Sequence, residues 1–195
     1  PERPRPALRG NGTVDCRSEH GYMKGNPEIS LCQVTRARLH EYYKNFVSDP
    51  DIFMDMSRFS IYQYDPRRID AYFDARKPSA ERRDFMVLNG SAVIGELSLK
   101  HINEETGECE LSIHLQNNSV KNKGYGTIAE KLALKYAFET LNLKTVLADA
   151  TLKNKRSQHV LEKIGFSFVR EDDIFRYYRC ERASFYQNDV DEVIP

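Results

Sequence analysis

The sequence predicts an α/β domain in which antiparallel strands are flanked by helices. Three observations carry that expectation. Asn89-Gly90, the dipeptide best suited to the positive backbone dihedrals of a two-residue hairpin turn, separates two runs of strand character. Amphipathic helical stretches stand both before and after those runs. The segment VKNKGYGTIAEKLALKYAF, 120–138, then sets two glycines and two lysines directly ahead of a long helical pattern.

In chain order, PERPRPALRGNGT holds too few apolar residues to build a core and reads as a flexible arm. The chain opens on Pro1, and Met23 stands just before the first strand, so the residues ahead of Met23 read either as a natural extension or as an appended segment. EISLCQV, 28–34, is the first strand; Thr35 then caps a helix carrying Leu39, Tyr42, Tyr43, Phe46 and Val47 on one face. Asp65-Pro66 opens a second helix through Ile69, Tyr72 and Phe73, with cap and proline in their preferred places. Strands over 84–88 and 91–100 form the hairpin, and a turn at 104–107 leads into ECELSIHL. There Cys109, Leu111, Ile113 and Leu115 alternate with Glu108, Glu110, Ser112 and His114, so the polar face is the first place to look for chemistry. A helix over 125–141, the strand KTVLADAT, a helix over 155–164 closed by Gly165, and strands over 166–170 and 175–180 complete the order.

The bounds are consistent with a single enzyme-sized domain. The 195 residues suffice for one well-buried core. With 29 basic and 29 acidic residues, no global charge favours nucleic acid or a membrane surface, so any anion site is local. Cys16, Cys32, Cys109 and Cys180 are far apart and lack CxxC spacing, which argues for reduced structural thiols rather than a metal site or disulfides. No window approaches the roughly 18 apolar residues of a membrane span, and no leader pattern is present; the expectation is a soluble cytoplasmic protein.

A glycine pair before a helix lets several unpaired N–H groups of the first turn converge on one spot, where the helix dipole also favours negative charge. Lys121 and Lys123 add positive charge beside Gly124 and Gly126. Such a nest suits a phosphate or pyrophosphate; equally, the two glycines could merely shape a tight loop. A P-loop would need Lys-Ser/Thr after the last glycine, and a dinucleotide fingerprint would need a third glycine where Ala129 stands.

The order of elements, the glycine loop and the later NKRSQHVLEKIGF together resemble the GNAT N-acetyltransferase family over about 29–180. The family's Gln/Arg-x-x-Gly-x-Gly/Ala motif corresponds to Lys121-Asn122-Lys123-Gly124-Tyr125-Gly126, with a lysine in the first place. CELSIHLQNNSVKNKGYGT followed by NKRSQHVLEKIGF looks most like the branch holding the ribosomal-protein alanine N-acetyltransferases. The resemblance implies a mixed, mostly antiparallel sheet in which ECELSIHL and KTVLADAT form a parallel pair splayed into a V. It implies acetyl-CoA as co-substrate and no metal. Amides of 121–127, through Tyr125 and Thr127, would hold the pyrophosphate; backbone groups of Ile113, His114 and Leu115 would pair with the pantetheine arm, and Asn154 and Ser157 would flank it. An N–H near His114 or Leu115 would stabilise the oxyanion.

The tyrosine acid frequent in the family falls at Leu161 and is absent; in the ribosomal-protein branch a serine serves, and Ser157 occupies that place. Ser157 could instead satisfy backbone donors of its helix. A thiol with pKa near about 8.5 needs only modest help to leave, whereas a lysine-type amine, pKa about 10.4, is neutral in fewer than about one molecule in a thousand at pH 7. For the base Glu110 leads and Glu96 competes, although either could be a solvated or cross-strand paired group. His114 and His159 are weaker candidates as bases, and the aromatic run 53–73 reads as packing, its loop 55–65 bearing at most on specificity. The expected layout is an extension over 1–27, the acetyltransferase domain over 28–182 and a tail over 183–195. The expected acceptor is a primary amine, a protein N-terminal α-amine ahead of a small molecule; a non-catalytic acyl-CoA-binding module is the alternative, and a homodimer is compatible with either.

Overall fold

The computed structural model describes residues 28–191 apart from 54 and 78, so the extension over 1–27, with Cys16 and Met23, lies outside the described residues. Strand β1, Ile29–Gln33, leads to Thr35, whose side chain accepts the Arg38 N–H and starts helix α1, Arg36–Asn45. Asp65 accepts the Arg67 N–H, and Pro66 opens helix α2, Pro66–Asp74, where the missing proline N–H costs nothing. Short 3-10 turns at Pro50–Ile52 and Met56–Arg58 occupy the connection.

Strands β2, Arg83–Asn89, and β3, Ala92–Asn103, form the hairpin, but its turn is displaced by one residue from Asn89-Gly90. Asn89 pairs with Ala92, leaving Gly90 and Ser91 as the two loop residues, and only Gly90 has a positive φ, 60°. That suits a turn with glycine in its first central place, so Asn89 is free to serve as the last rung. Strand β4, Glu108–Leu115, follows a turn at Gly107.

Helix α3, Tyr125–Lys135, is shorter than its periodicity suggests: Tyr136–Thr140 widens into a π-helical turn closed by the Leu141 N–H on the Tyr136 carbonyl. Ala137 and Phe138 remain fully buried through it. Strand β5, Thr145–Thr151, then helix α4, Lys155–Lys163, and strands β6, Ser167–Glu171, and β7, Phe175–Glu181, agree with expectation to within a few residues. Gly165, at φ 101°, ends α4. The domain boundary at 182 needs correction: Arg182–Asp191 form helix α5, and its Phe185 is 1% exposed and stacks on Phe138. The folded body therefore takes in most of the expected tail, because one large aromatic there completes the core.

The strands make one seven-stranded sheet in the order β1-β2-β3-β4-β5-β7-β6, antiparallel except for β4 with β5. Phe85, Met86, Val87 and Leu88 of β2 are all buried because both faces are covered. Met86 and Leu88 join Cys32, Leu39, Tyr42, Ile69 and Val93 beneath α1 and α2. Phe85 and Val87 join Leu97, Leu99, Leu111, Leu134 and Phe138 in the larger cluster beneath α3, α4 and α5. Cys32, Cys109 and Cys180 are buried, and burial pushes the last two thiols up to about 12. No helix among the described residues is long and apolar enough to cross a membrane.

Candidate active site

The parallel pair β4–β5 is joined over only part of its length. Its rungs run from Glu108 with Thr145 to Leu111 with Ala148, although β4 continues to Leu115 and β5 to Thr151. Beyond Leu111 the strands part and a cleft of about 210 Å³ fills the opening. Its walls include Leu111, Ile113, Ala148 and Ala150 from the strands and Asn154, Ser157 and Leu161 from α4.

Neighbouring residues of a strand direct their N–H and C=O groups to opposite edges. The Gln116 N–H donates to Ile94 of β3, and the His114 carbonyl accepts from the Tyr42 hydroxyl at 3.3 Å. Both therefore belong to the β3 edge, so the alternation turns the backbone groups of Ile113 and Leu115 toward the opening. The Leu115 N–H therefore opens on the side of β5 and the His114 N–H on the side of β3.

The cleft passes through the sheet and differs at its two mouths. On the α1/α2 side stand Lys100, Glu110, His114 and Asp149, with Ile52 and Phe175 nearby. The Lys100 ammonium lies 2.8 Å from the Glu110 carboxylate. Partial burial, then the negative charge of Glu110, raises the Asp149 pKa above the ordinary carboxylate range. His114 is exposed at the rim yet ringed by protein, and the lost hydration lowers its pKa. On the α3/α4 side the walls are mostly apolar, interrupted by Ser157 and by Glu130 of α3.

Ahead of α3 only one of the two glycines takes the left-handed conformation, Gly126 already lying inside the helix. Asn122 and Gly124 both have positive φ, 59° and 77°, and Gly124 caps α3 with no side chain bonded to the first-turn amides. A methyl group placed on Gly124 would meet nothing within 4 Å, and one on Gly126 would lie 3.8 Å from Leu115, so the helix start adjoins the end of β4. Lys123 is exposed beside it. Lys121 is engaged elsewhere: its ammonium pairs with Asp49, which also binds Arg156 at 2.8 Å, and the Lys121 and Asp49 side chains are 13% and 12% exposed.

Glu96 lies on the same sheet face as Glu110 but outside the cleft. Its carboxylate is paired with Arg76 and accepts from the Tyr43 and Tyr72 hydroxyls at 3.2 and 3.3 Å, with its side chain 11% exposed. A carboxylate so engaged is a structural anchor between α2 and the sheet. The Ser157 N–H donates to Asn154 Oδ1 at 3.1 Å, so Asn154 is the helix cap and the Ser157 hydroxyl faces the cleft without a hydrogen bond among the described residues. The aromatic run packs as expected, with Tyr62 against Tyr43 and Phe46, and from this region Ile52, ahead of the loop 55–65, reaches the cleft. The sequence pattern does not single out Asp149 or Glu130. The first is the polar member of an alternating strand, and the second interrupts an apolar helix face otherwise built by Ala133, Leu134 and Ala137.

A mixed sheet split at its one parallel pair, with a glycine-capped helix start beside the split, defines an acyltransferase-like architecture. The family model for the acetyltransferase (GNAT) domain matches residues 29–167, and the chain belongs to that family. It is 28% identical over 105 residues to the acetyltransferase PseH of Campylobacter jejuni, an alignment covering 54% of this chain and 63% of that protein. The spermidine N-acetyltransferase of Vibrio cholerae, solved in complex with CoA and spermine, superposes with TM-score 0.66 at 19% identity over 81% of this chain and 98% of that one. A dodecameric structure of the V. cholerae spermidine enzyme gives TM-score 0.62 at 19% identity over 80% and 95%.

Proposed function

We propose that the protein transfers an acetyl group from acetyl-CoA to a primary amine by direct attack. The observation that carries this is the cleft through the sheet: apolar and edged by unpaired backbone groups on one side, carboxylate-lined on the other. The amide-bearing arm of acetyl-CoA suits the first mouth and a cationic amine the second. The amine nitrogen attacks the thioester carbon, the Leu115 N–H is placed to receive the developing oxyanion, and Glu110 or Asp149 accepts the proton the amine loses. The carbon–sulfur bond then breaks and the thiolate takes a proton from the Ser157 hydroxyl or from water. The apolar walls limit competition from hydrolysis.

Two acceptor classes fit. A protein N-terminal α-amine is favoured by the likeness of 109–127 and 154–166 to the ribosomal-protein branch, and an α-amine near pKa 8 demands less of its base. A small cationic amine is favoured by Glu110 and Asp149 together at the mouth, and the named activity of the V. cholerae neighbour is of this kind. Purified protein with acetyl-CoA is assayed for thiol release against alanine- and serine-initiated peptides, spermidine and simple amino sugars. Turnover of peptides alone selects the first class, and turnover of small amines alone selects the second. Absence of release with every acceptor, despite measurable acetyl-CoA binding, favours the non-catalytic acyl-CoA-binding alternative. A cytoplasmic location and a homodimer belong to this proposal as well; buried, unbridged cysteines support the former.

Ser157→Ala is expected to lower turnover about 10-fold to 100-fold with acetyl-CoA affinity nearly unchanged. The cap is left intact, since it uses the backbone N–H of residue 157. Isothermal titration alongside steady-state kinetics separates the two quantities, and unaltered turnover with chemistry rate-limiting would remove Ser157 from the reaction.

A further inference from the structure

Glu130 stands in the second turn of α3 and is 3% exposed, yet it forms part of the cleft wall. Its Oε2 has no hydrogen-bond partner, and no ion pair reaches the carboxyl group among the described residues. An isolated ionised carboxylate in such surroundings is strongly disfavoured, so the group keeps its proton. Burial alone pushes its pKa up to about 8. A neutral carboxyl carries one O–H donor and a carbonyl acceptor. Leaving a buried polar group of this kind unmet is costly, and something entering the cleft can recover that cost.

The surroundings specify what that something must offer. The same stretch of cleft has the unpaired edge of β4 at Ile113 on one side and apolar Ala148, Ala150 and Leu161 on others. A thin chain carrying amide groups meets both demands: its N–H and C=O groups pair with the strand edge, and an amide matches a carboxylic acid donor for acceptor and acceptor for donor. We propose that Glu130 is a cofactor-binding residue whose carboxyl O–H donates to an amide carbonyl of the acyl-CoA pantetheine arm. This inference rests on the acyl-CoA assignment made above.

Other titratable groups near this site are Lys100 of β3, Glu110 and His114 of β4 and Asp149 of β5, all toward the opposite mouth. Lys131 and Lys135 lie on α3 itself, Lys155, Arg156 and His159 on α4, and β1 brings no charged side chain. None of these contributes to the proton affinity of Glu130. Their own titrations are common to wild type and variants and cancel in a comparison.

The test is acetyl-CoA binding to the full chain by isothermal titration at pH 6.5 and pH 9, for wild type, Glu130→Gln and Glu130→Leu. Wild-type affinity is expected to fall about 10-fold more than that of Glu130→Gln between the two pH values, because about nine-tenths of a group with pKa near 8 is ionised at pH 9. Glu130→Gln, which keeps a donor and an acceptor, should bind near the wild-type level at pH 6.5. Glu130→Leu should bind at least about 10-fold more weakly while its unliganded form melts at a higher temperature, since an unmet polar group has been removed. An identical pH dependence in wild type and Glu130→Gln would overturn the proposal, as would full affinity in Glu130→Leu. Absence of acetyl-CoA binding by wild type at either pH would instead defeat the acyl-CoA assignment itself.

Discussion

Glu110→Gln is expected to lower acetyl transfer by about two orders of magnitude at neutral pH, with a defect that shrinks as the pH approaches the pKa of the acceptor amine. A neutral amine needs no proton acceptor, so loss of a base is repaired by alkali, whereas loss of a positioning contact is not. Lys100 sharpens the expectation, because its ammonium holds the Glu110 carboxylate at the cleft mouth. Asp149 is the necessary comparison. Its carboxyl is raised by partial burial and by Glu110, so removing the Glu110 charge should shift its titration to lower pH. If pH–rate profiles show a flat defect for Glu110→Gln and an alkali-repaired one for Asp149→Asn, the proton goes to Asp149. The same series on Glu96 is expected to report lowered stability instead of altered proton transfer, since its removal leaves Arg76 buried with one fewer partner.

The second large effect is expected at Gly124. Acetyl-CoA at about 100 times its dissociation constant should stabilise the wild type by about 2.7 kcal/mol, readable as a rise in melting temperature, and Gly124→Val should abolish that rise. At φ 77° and ψ −3° a β-branched residue is sterically disfavoured, so the loop must leave the conformation that aims the first-turn amides outward. The unliganded fold should persist: no atom lies within 4 Å of an added Cβ, and α3 remains docked through Ala129, Ala133 and Leu134. A Gly124→Val protein that still gains full stability from acetyl-CoA would show that the helix start is a structural bend and nothing more.

Local chemistry made most of the fold legible. Thr35, Asp65-Pro66, Gly165 and the alternation in ECELSIHL each act within a few residues, and each element they mark is present. What stayed hidden depends on distant partners. Phe185 sits in a polar segment and gains its burial from a core cluster distant in sequence, including Phe138, 47 residues earlier by the numbering. The role of Glu96 is set by Arg76 at the end of α2, and that of Lys121 by Asp49, pairings across hydrogen-bonded sheet and loop that no short window contains. The site divides in the same way. Ile113, Asn154 and Ser157 are named by the family resemblance of 109–127 and 154–166 and all line the cleft, while Asp149 and Glu130 acquire their importance from where β4 and β5 separate. A carboxylate within the apolar stripe of α3 was nevertheless a visible discord in the pattern, the kind of local inconsistency that accompanies function.

The short seam between β4 and β5 gives this sheet a third edge, in its interior. Exposed edges invite a neighbouring chain to add a strand, and proteins blunt them with charge, proline or cover. Here the protection is recess: the edge at Ile113 lies in a slot lined also by Glu130 of α3 and by Ser157 and Leu161 of α4. Amide hydrogen exchange at Ile113 and Leu115 should follow the behaviour of an outer strand although β4 is fourth of seven, and slow to that of a central one when the slot is filled.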